Sequence, residues 1–357
     1  MRICVFSERM AEPFDEGIKN TALHLMQELS RVHEVLRLTA FGESTAAYGI
    51  ENVRANRLLL SPALGHRMRR FRPELTIYVP TACATPASFL RSCVLRAHGR
   101  GAPVVLVALQ WRVYGRLAGL VMPRLGPDLV LVQAERTRAS LERFGCRLRT
   151  LRPGVDLERF RPATAGRRAE LRRAYGADEG SYVLLHVGHL NRGRGIQALL
   201  PLQRLPGAQV VVVGSASTSH DQELVTELTR AGVKVLGEHI ADMAAVYQMA
   251  DCYVFPVQGE TSAIDVPLSV LEAMACDLPV VTTRFGGLPG LFASARGLRY
   301  VGRPEQIVEA VESLRGMTGP GTRRLVEPFA WSRVVDEMLQ GVCGDLGLVC
   351  ARGNLEG

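Results

Sequence analysis

The fold class predicted for these 357 residues is α/β, with two doubly wound, Rossmann-like parallel sheets. Three observations carry it. Short apolar runs alternate with helix-period segments along the chain. The runs are continuous, as in parallel strands covered on both faces, rather than alternating polar and apolar. The pattern breaks at Arg152-Pro153-Gly154-Val155-Asp156 and then starts again. One core rarely grows past roughly 250–300 residues, so two domains are expected on length alone.

In chain order, Ile3–Phe6 reads as the first strand. A loop at Glu12-Pro13-Phe14-Asp15-Glu16-Gly17 follows, and Ala22, Leu25, Leu29 and Val32 then mark one face of a helix. Further strands are expected at Glu34–Leu38, Leu75–Val79, Val104–Leu109, Leu129–Gln133 and Arg149–Leu151. Residues 157–178 are polar and arginine-rich, as a linker and leading helix would be. The second series is Tyr182–Val187, Val210–Gly214, Val233–Leu236, Cys252–Pro256, Val280–Thr283 and Leu298–Val301. Phe329–Val342 has helical spacing and could pack on either half. The domains are therefore set at 1–155 and 156–328. Ligands of such sheets bind beyond the carboxyl ends of the strands. Two facing halves would make an interdomain cleft there, which favours an enzyme with two substrates.

Composition narrows the function classes. Hydrophobic residues are 47% and charged residues 22%, the balance of a folded globular enzyme rather than a disordered tail. No apolar run reaches 18 residues, so no membrane span is expected. The opening Met-Arg-Ile-Cys-Val-Phe-Ser runs straight into strand sequence without a signal-peptide layout, which predicts a cytoplasmic protein. Eight cysteines without a CxxC pair read as free thiols, not a zinc or disulfide framework. His33 and His98 read as surface residues. The formal net charge is +8, and 41 of the 43 basic residues are arginine. Residues 1–160 hold 24 basic and 14 acidic side chains, a net of +10; the rest hold 19 and 21, a net of −2. An excess on one half fits an anionic partner such as phosphate or a lipid surface. Arginines on solvated helix faces are the other reading. Nucleic acid has only this bulk charge behind it, with no aromatic-basic module. No GxGxxG follows the first strand, which argues against a nicotinamide dehydrogenase.

The stretch from Gly259 to Val281 is the most informative. A helix is expected to begin near Pro267, where a missing N–H had no partner anyway. The free amides of Leu268 and Ser269 would form a phosphate site. Glu272, in the first turns, can accept two hydroxyl hydrogen bonds. The run Val270-Leu271-Glu272-Ala273-Met274-Ala275, with Pro279-Val280-Val281 in register, resembles the signature of family-4 retaining glycosyltransferases. A second run, His186-Val187-Gly188-His189-Leu190-Asn191-Arg192-Gly193-Arg194-Gly195, is similar to that family's V-G-R-L-x-x-x-K-G. A third, Leu151–Pro162, is similar to its P-N-G-V-D-x-x-x-F-x-P at the interdomain crossing. Phe285-Gly286-Gly287-Leu288-Pro289 and Phe329-Ala330-Trp331-Ser332-Arg333-Val334 add weaker matches.

The resemblance implies the GT-B fold, with a C-terminal helix at about 329–357 crossing back to the first domain. It implies sugar transfer with retention from a nucleotide-diphosphate sugar of UDP or GDP type, without cofactor or metal. Glu272 takes the ribose role. Arg194 stands at the lysine position and His189 at the arginine position, beside Gly188, with Arg192 as a second guanidinium for the diphosphate. Leu236 and Gly237 lie where the base would rest. The first glutamate of the family's pair is replaced by Ile264; Asp265, one residue on, is the candidate to hold the donor sugar, ahead of Glu260. In the first domain, Gly17 with Lys19 nearby corresponds to the diphosphate loop, and Gln110 stands where many members have a histidine. Arg194, Asp265 and Gln110 are thus the catalytic candidates. The acceptor is a small molecule, glycan or lipid. The cluster His66, Arg67, Arg69, Arg70, Arg72, Arg91, Arg96 and Arg100 is the candidate for peripheral contact with an anionic inner membrane face. A nucleotide-sugar 2-epimerase of the same fold and an inactive nucleotide-sugar-binding protein remain the alternatives.

Overall fold

Thirteen strands are present among residues 1–237 and 239–350, the residues that the computed structural model describes. The first seven are β1 (Arg2–Ser7), β2 (Glu34–Thr39), β3 (Glu51–Asn52), β4 (Leu75–Val79), β5 (Val104–Ala108), β6 (Leu129–Val132) and β7 (Leu148–Thr150). They form one parallel sheet in the order β3-β2-β1-β4-β5-β6-β7. The next six are β8 (Tyr182–Gly188), β9 (Ala208–Gly214), β10 (Lys234–Leu236), β11 (Cys252–Phe255), β12 (Val280–Thr283) and β13 (Leu298–Val301). Their parallel order is β10-β9-β8-β11-β12-β13. The strand order of each sheet reverses once, between β1 and β4 and between β8 and β11, which creates the crevice where such sheets take ligands.

The predicted runs become strands because both faces are buried. All five residues of β4 and all five of β5 are buried. β3 is the strand that apolar patterning misses: it is two polar residues long and held by its register with Leu38 and Thr39.

The chain divides into two units, Gly154–Ala330 and Met1–Pro153 with the segment from Trp331 on. The C-terminal helix, Trp331–Leu346, packs on the helix Gly17–Leu29 of the first unit. Trp331 stacks on His24 with ring centroids 4.7 Å apart, and Arg149 Nε reaches Asp345 at 2.5 Å. The part of the C-terminal segment at 351–357 lies outside the described residues.

In the second unit the arginine-rich segment forms the helix Ala165–Ala174. It is anchored by Arg172, 7% exposed, which donates to the carbonyls of Met249, Glu179 and Ser181 and to Asp251 at 2.5 Å. Asp251 also accepts from the amide of Val183 at 2.7 Å, so one carboxylate joins helix, β8 and the turn before β11.

Several sequence expectations are corrected. His98 is not a free surface residue: its Nε2 lies 3.0 Å from the carbonyl oxygen of Leu59, and its ring fills the space beside Gly65. His33 is half-buried, and burial lowers its pKa. The basic cluster is partly spent internally. Arg91 lies 2.5 Å from the buried Glu8, which also accepts from Tyr78; Arg67 pairs with Glu51 at 2.7 Å and Arg96 with Asp128 at 2.7 Å. His66, Arg69, Arg70, Arg72 and Arg100 remain exposed. All eight cysteines are free, five of them buried. No helix of the described residues is long and apolar enough to cross a membrane.

Candidate functional site

The carboxyl ends of β8 and β11 gather most of the predicted residues. β8 ends at Gly188, and the chain turns through Asn191 into a 3-10 turn, Arg192–Arg194. Gly195 closes it with a φ of +67°, where its Cα faces the carbonyl of Pro256 just beyond β11. A side chain there would be strained and crowded. Ser262 ties the same turn down by donating to the carbonyl of Gly193 at 3.0 Å.

Arg194 is held inward by this turn and is 8% exposed. Its guanidinium lies over Gly188, where a Cβ would stand 2.6 Å from Nη1, so the glycine is needed to admit it. Nε has no hydrogen-bond partner, and no carboxylate pairs with the group among the described residues. Burial pulls its pKa down to about 10, opposed by Tyr253. A desolvated cation without a counter-ion is costly, and an arriving anion would relieve that cost.

His186, fully buried on β8, sits beside it. Its Nδ1 faces the carbonyl of Val254 at 2.9 Å, which leaves Nε2 unpartnered near Gly188. Burial, with Arg194 adding to it, pushes the imidazole down to about 4, so it is neutral at physiological pH.

The helix Leu268–Ala275 follows β11, with Pro267 as its N-cap in extended conformation. The proline therefore precedes the first turn instead of standing in it. Val270 turns its amide to Pro267 at 3.2 Å, while Leu268 and Ser269 hold first-turn amides that have no intrahelical acceptor. Leu268, Val270, Leu271, Ala273 and Met274 are buried. Ser269 and Glu272, three residues apart, share the half-exposed stripe. The Glu272 carboxylate accepts from Tyr247 at 2.6 Å through Oε2, and Oε1 takes no hydrogen bond among the described residues. Burial raises its pKa, against the Tyr247 hydrogen bond and the charge of Arg159. Tyr253 on β11 links the two halves of this arrangement. Its hydroxyl donates to the carbonyl of Val187 at 3.3 Å, within electrostatic reach of Arg194 and Glu272.

The other predicted residues fall as follows. Arg192 is half-exposed and turned toward acids, 3.1 Å from Glu227 and 3.6 Å from Asp221. His189 is half-buried and its carbonyl accepts from Asn191 at 3.1 Å. Leu236 ends β10, and Gly237 follows it; a Cβ on Gly237 would stand 3.3 Å from the ring of His220, which also covers Gly214. Asp265 is 3% exposed, and its carbonyl accepts from Gly287 at 2.8 Å. Gly286, at φ +53°, brings its Cα so close that a Cβ would stand 2.1 Å from that carbonyl oxygen, which explains the glycine at this position. Gly17 and Gln110 belong to the first unit. Gly17 opens the helix Gly17–Leu29, and Lys19 is tied to Glu16 at 2.8 Å. Gln110 lies just past β5 and accepts from Arg112 at 3.0 Å. His186, Tyr247, Tyr253 and His220 were not singled out by the sequence. No group of three or more His, Cys, Asp or Glu side chains suited to a metal ion occurs among the described residues.

The family "Glycosyl transferases group 1" matches residues 181–316. D-inositol 3-phosphate glycosyltransferase of Saccharomonospora viridis is 30% identical over 217 residues, 54% of this chain and 49% of that protein. The GDP-mannose-dependent alpha-(1-6)-phosphatidylinositol monomannoside mannosyltransferase of Mycobacterium tuberculosis is 28% identical over 342 residues, 86% of each chain. The chain spans about half the length of the inositol-phosphate enzymes it matches. Among solved structures, Anabaena Alr3699/HepE in complex with UDP and glucose superposes with a TM-score of 0.74 at 17% identity, covering 95% of this chain and 98% of that one. Sucrose-phosphate synthase from Thermosynechococcus elongatus gives 0.75 at 17%, covering 97% and 99%. Residues 181–316 are a group 1 glycosyltransferase domain, carried in a chain whose two parallel Rossmann-like sheets are those of the GT-B fold.

Proposed function

We propose that the chain is a glycosyltransferase that moves a sugar from a nucleotide-diphosphate sugar, of UDP or GDP type, to a hydroxyl-bearing acceptor. The observation that supports it best is Arg194, a buried guanidinium with no counter-ion among the described residues, held over Gly188 at the carboxyl end of β8. Groups of this kind stabilise a diphosphate as negative charge builds on it in the leaving step. Arg194 grips the phosphates, and the amides of Leu268 and Ser269 meet the outer one. Glu272 accepts the ribose hydroxyls through Oε1 while Tyr247 fixes Oε2. Leu236 and Gly237 take the base. Arg192 joins the diphosphate only by leaving Asp221 and Glu227. Asp265 holds the donor sugar, with His189 flanking Gly188.

The reaction proceeds with retention and without a metal ion: the leaving phosphate takes the acceptor's proton, and arginine and helix amides carry the developing charge. The names of the relatives, an inositol phosphate enzyme and a phosphatidylinositol mannoside enzyme, favour a polyol acceptor bearing a phosphate or a lipid.

A thermal-shift series with UDP-, GDP- and ADP-sugars tests this reading, since a ligand of the folded state raises apparent stability. One nucleotide class should raise the transition, and Glu272→Ala should abolish the rise. No rise with any class overturns the reading.

A further inference from the structure

The second unit holds a cavity of about 670 Å³ at the edge of its sheet opposite Gly188. Tyr182 opens β8, Asp251 directly precedes β11 and Pro279 directly precedes β12, so the cavity lies at the amino ends of these strands. The donor site proposed above uses the carboxyl ends. One wall is the helix Ala165–Ala174, and another is the glycine-rich segment 314–320. The third is the turn Cys276-Asp277-Leu278, which ends the helix Leu268–Ala275. All of these residues belong to Gly154–Ala330. A single helix therefore offers its first turn to the donor side and its last turn to this cavity.

The lining carries three arginines against two aspartates. Arg172 is closed off, because it gives its donors to three carbonyls and to Asp251. Asp251 is shared: Arg168 Nη1 also reaches it, at 3.1 Å. The Nε of Arg168 is buried without a hydrogen-bond partner. Arg315 forms no ion pair among the described residues. Its guanidinium faces the ring of Tyr182 at 5.2 Å and donates to the carbonyl of Pro206 at 2.7 Å. Two guanidiniums at one cavity are thus under-neutralised. Asp277 brings the opposite capacity. Its Oδ1 accepts from the amide of Arg323 at 3.0 Å, and its Oδ2 takes no hydrogen bond among the described residues. Leu278, Pro279 and Leu314, all buried, give the lining an apolar floor.

We infer that this cavity is a second ligand site, for a phosphate monoester of a sugar. Arg168 and Arg315 take the phosphate, since a guanidinium fork matches phosphate oxygens and neither arginine has a carboxylate to itself. Asp277 Oδ2 accepts a hydroxyl, and the apolar floor takes the carbon skeleton. Inorganic phosphate would leave most of the volume empty, whereas a cavity of several hundred Å³ suits a molecule with a carbon body. A neutral sugar would leave the arginines as they are. A nucleotide needs a face for its base to stack on. Tyr182 is the one aromatic residue of the lining, and Arg315 covers it. The site does not depend on the proposed transfer reaction.

The test is titration calorimetry of the full chain with glucose 6-phosphate and ribose 5-phosphate, against glucose, ribose and inorganic phosphate. At least one ester should bind roughly 10-fold or more tightly than its sugar and than phosphate, the effect of added hydrogen bonds to charged groups. Arg315→Gln should weaken that binding about 10-fold; the side chain is exposed, so the fold tolerates the change. Arg168→Gln should weaken it similarly, while Asp251 keeps its pairing with Arg172. Arg230→Gln removes an exposed arginine outside the cavity and should change the affinity little. Arg194→Met and Glu272→Ala should leave the ester affinity as in the parent. UDP and GDP should bind Arg315→Gln as they bind the parent, so the cavity and the donor site fail separately. The inference is overturned if neither ester binds, or if phosphate or the bare sugar binds as well as the ester. It is also overturned if either cavity arginine variant binds like the parent, or if Arg230→Gln loses as much as they do. Loss of the ester in Arg194→Met would place it at the donor site and overturn the inference too.

Discussion

Replacing Arg194 with methionine should make the empty protein more stable and its grip on nucleotide weaker. The pKa of Arg194 falls to about 10 on folding, chiefly by burial. The folded pKa lies below the unfolded one, so the charged form is disfavoured in the folded state at every pH below about 10. That drop corresponds to about 3 kcal/mol, an upper bound on what the charge costs the fold at neutral pH. Methionine keeps an unbranched chain in the same slot and removes that cost. With roughly 2–4 °C per kcal/mol for a unit of this size, the melting transition should rise by several degrees. The same substitution takes away the buried partner of the diphosphate. Truncating one member of such a pair costs about 2–5 kcal/mol, a loss of roughly 30-fold to several-thousand-fold in affinity. Differential scanning fluorimetry of the apo protein and calorimetric titration with UDP and GDP read the two effects separately. A variant that melts lower and binds the nucleotide as well as the parent would refute the reasoning, because Arg194 would then be a structural cation.

Other outcomes follow from the same contacts. Glu272→Ala should weaken nucleotide binding by about 10- to 100-fold, the effect of losing a charged acceptor of one or two hydrogen bonds; titration calorimetry checks it, and an unchanged Kd rejects the ribose role. Because burial raises the Glu272 pKa, the carboxylate is lost on acidification earlier than an ordinary glutamate, so affinity should start to fall at a higher pH than an ordinary glutamate would allow. Tyr247→Phe removes a hydrogen bond that lowers that pKa and should move the acid limb of the binding profile to higher pH. His186 has a folded pKa of about 4 against 6.5, so the unfolded chain binds its proton first on acidification. Its contribution is complete above pH 6.5 and is lost as the pH falls toward 4, by at most about 3 kcal/mol. Denaturant unfolding between those pH values should show a decline that His186→Gln reduces. Asp251→Ala leaves the buried Arg172 without its counter-ion and should cost roughly 3–5 kcal/mol, visible as a lower midpoint in urea.

The sequence makes the architecture legible because both faces of each sheet are covered. Continuous runs such as Leu75–Val79 and Val280–Thr283 have one physical use, and the strands match those runs residue for residue. Glu272 and Arg194 were visible through their motifs, and Gly188 beside them. What surrounds them was not. The Tyr247–Glu272 hydrogen bond joins residues 25 apart, and His186 finds Val254 68 residues away. Periodicity shows only that such positions are inward, since an inward histidine on a buried strand has the same spacing as a valine. The ion pairs of Arg192 with Glu227, and of Arg91 with Glu8, were hidden for the same reason, and charge counting treated both arginines as available. An exposed stripe at Val113, Leu117 and Leu120 was hidden in another way. Its helical spacing is that of a core face, and only the positions of Ala118 and Met122 show which side turns inward.

A crystal structure with a UDP- or GDP-sugar bound would decide how the donor is held. An outer-phosphate oxygen should lie within roughly 3 Å of the Arg194 guanidinium and of the Leu268 or Ser269 amide, with a ribose hydroxyl on Glu272. A nucleotide seated elsewhere, or an Arg194 that stays unpartnered while the donor is bound, would contradict it.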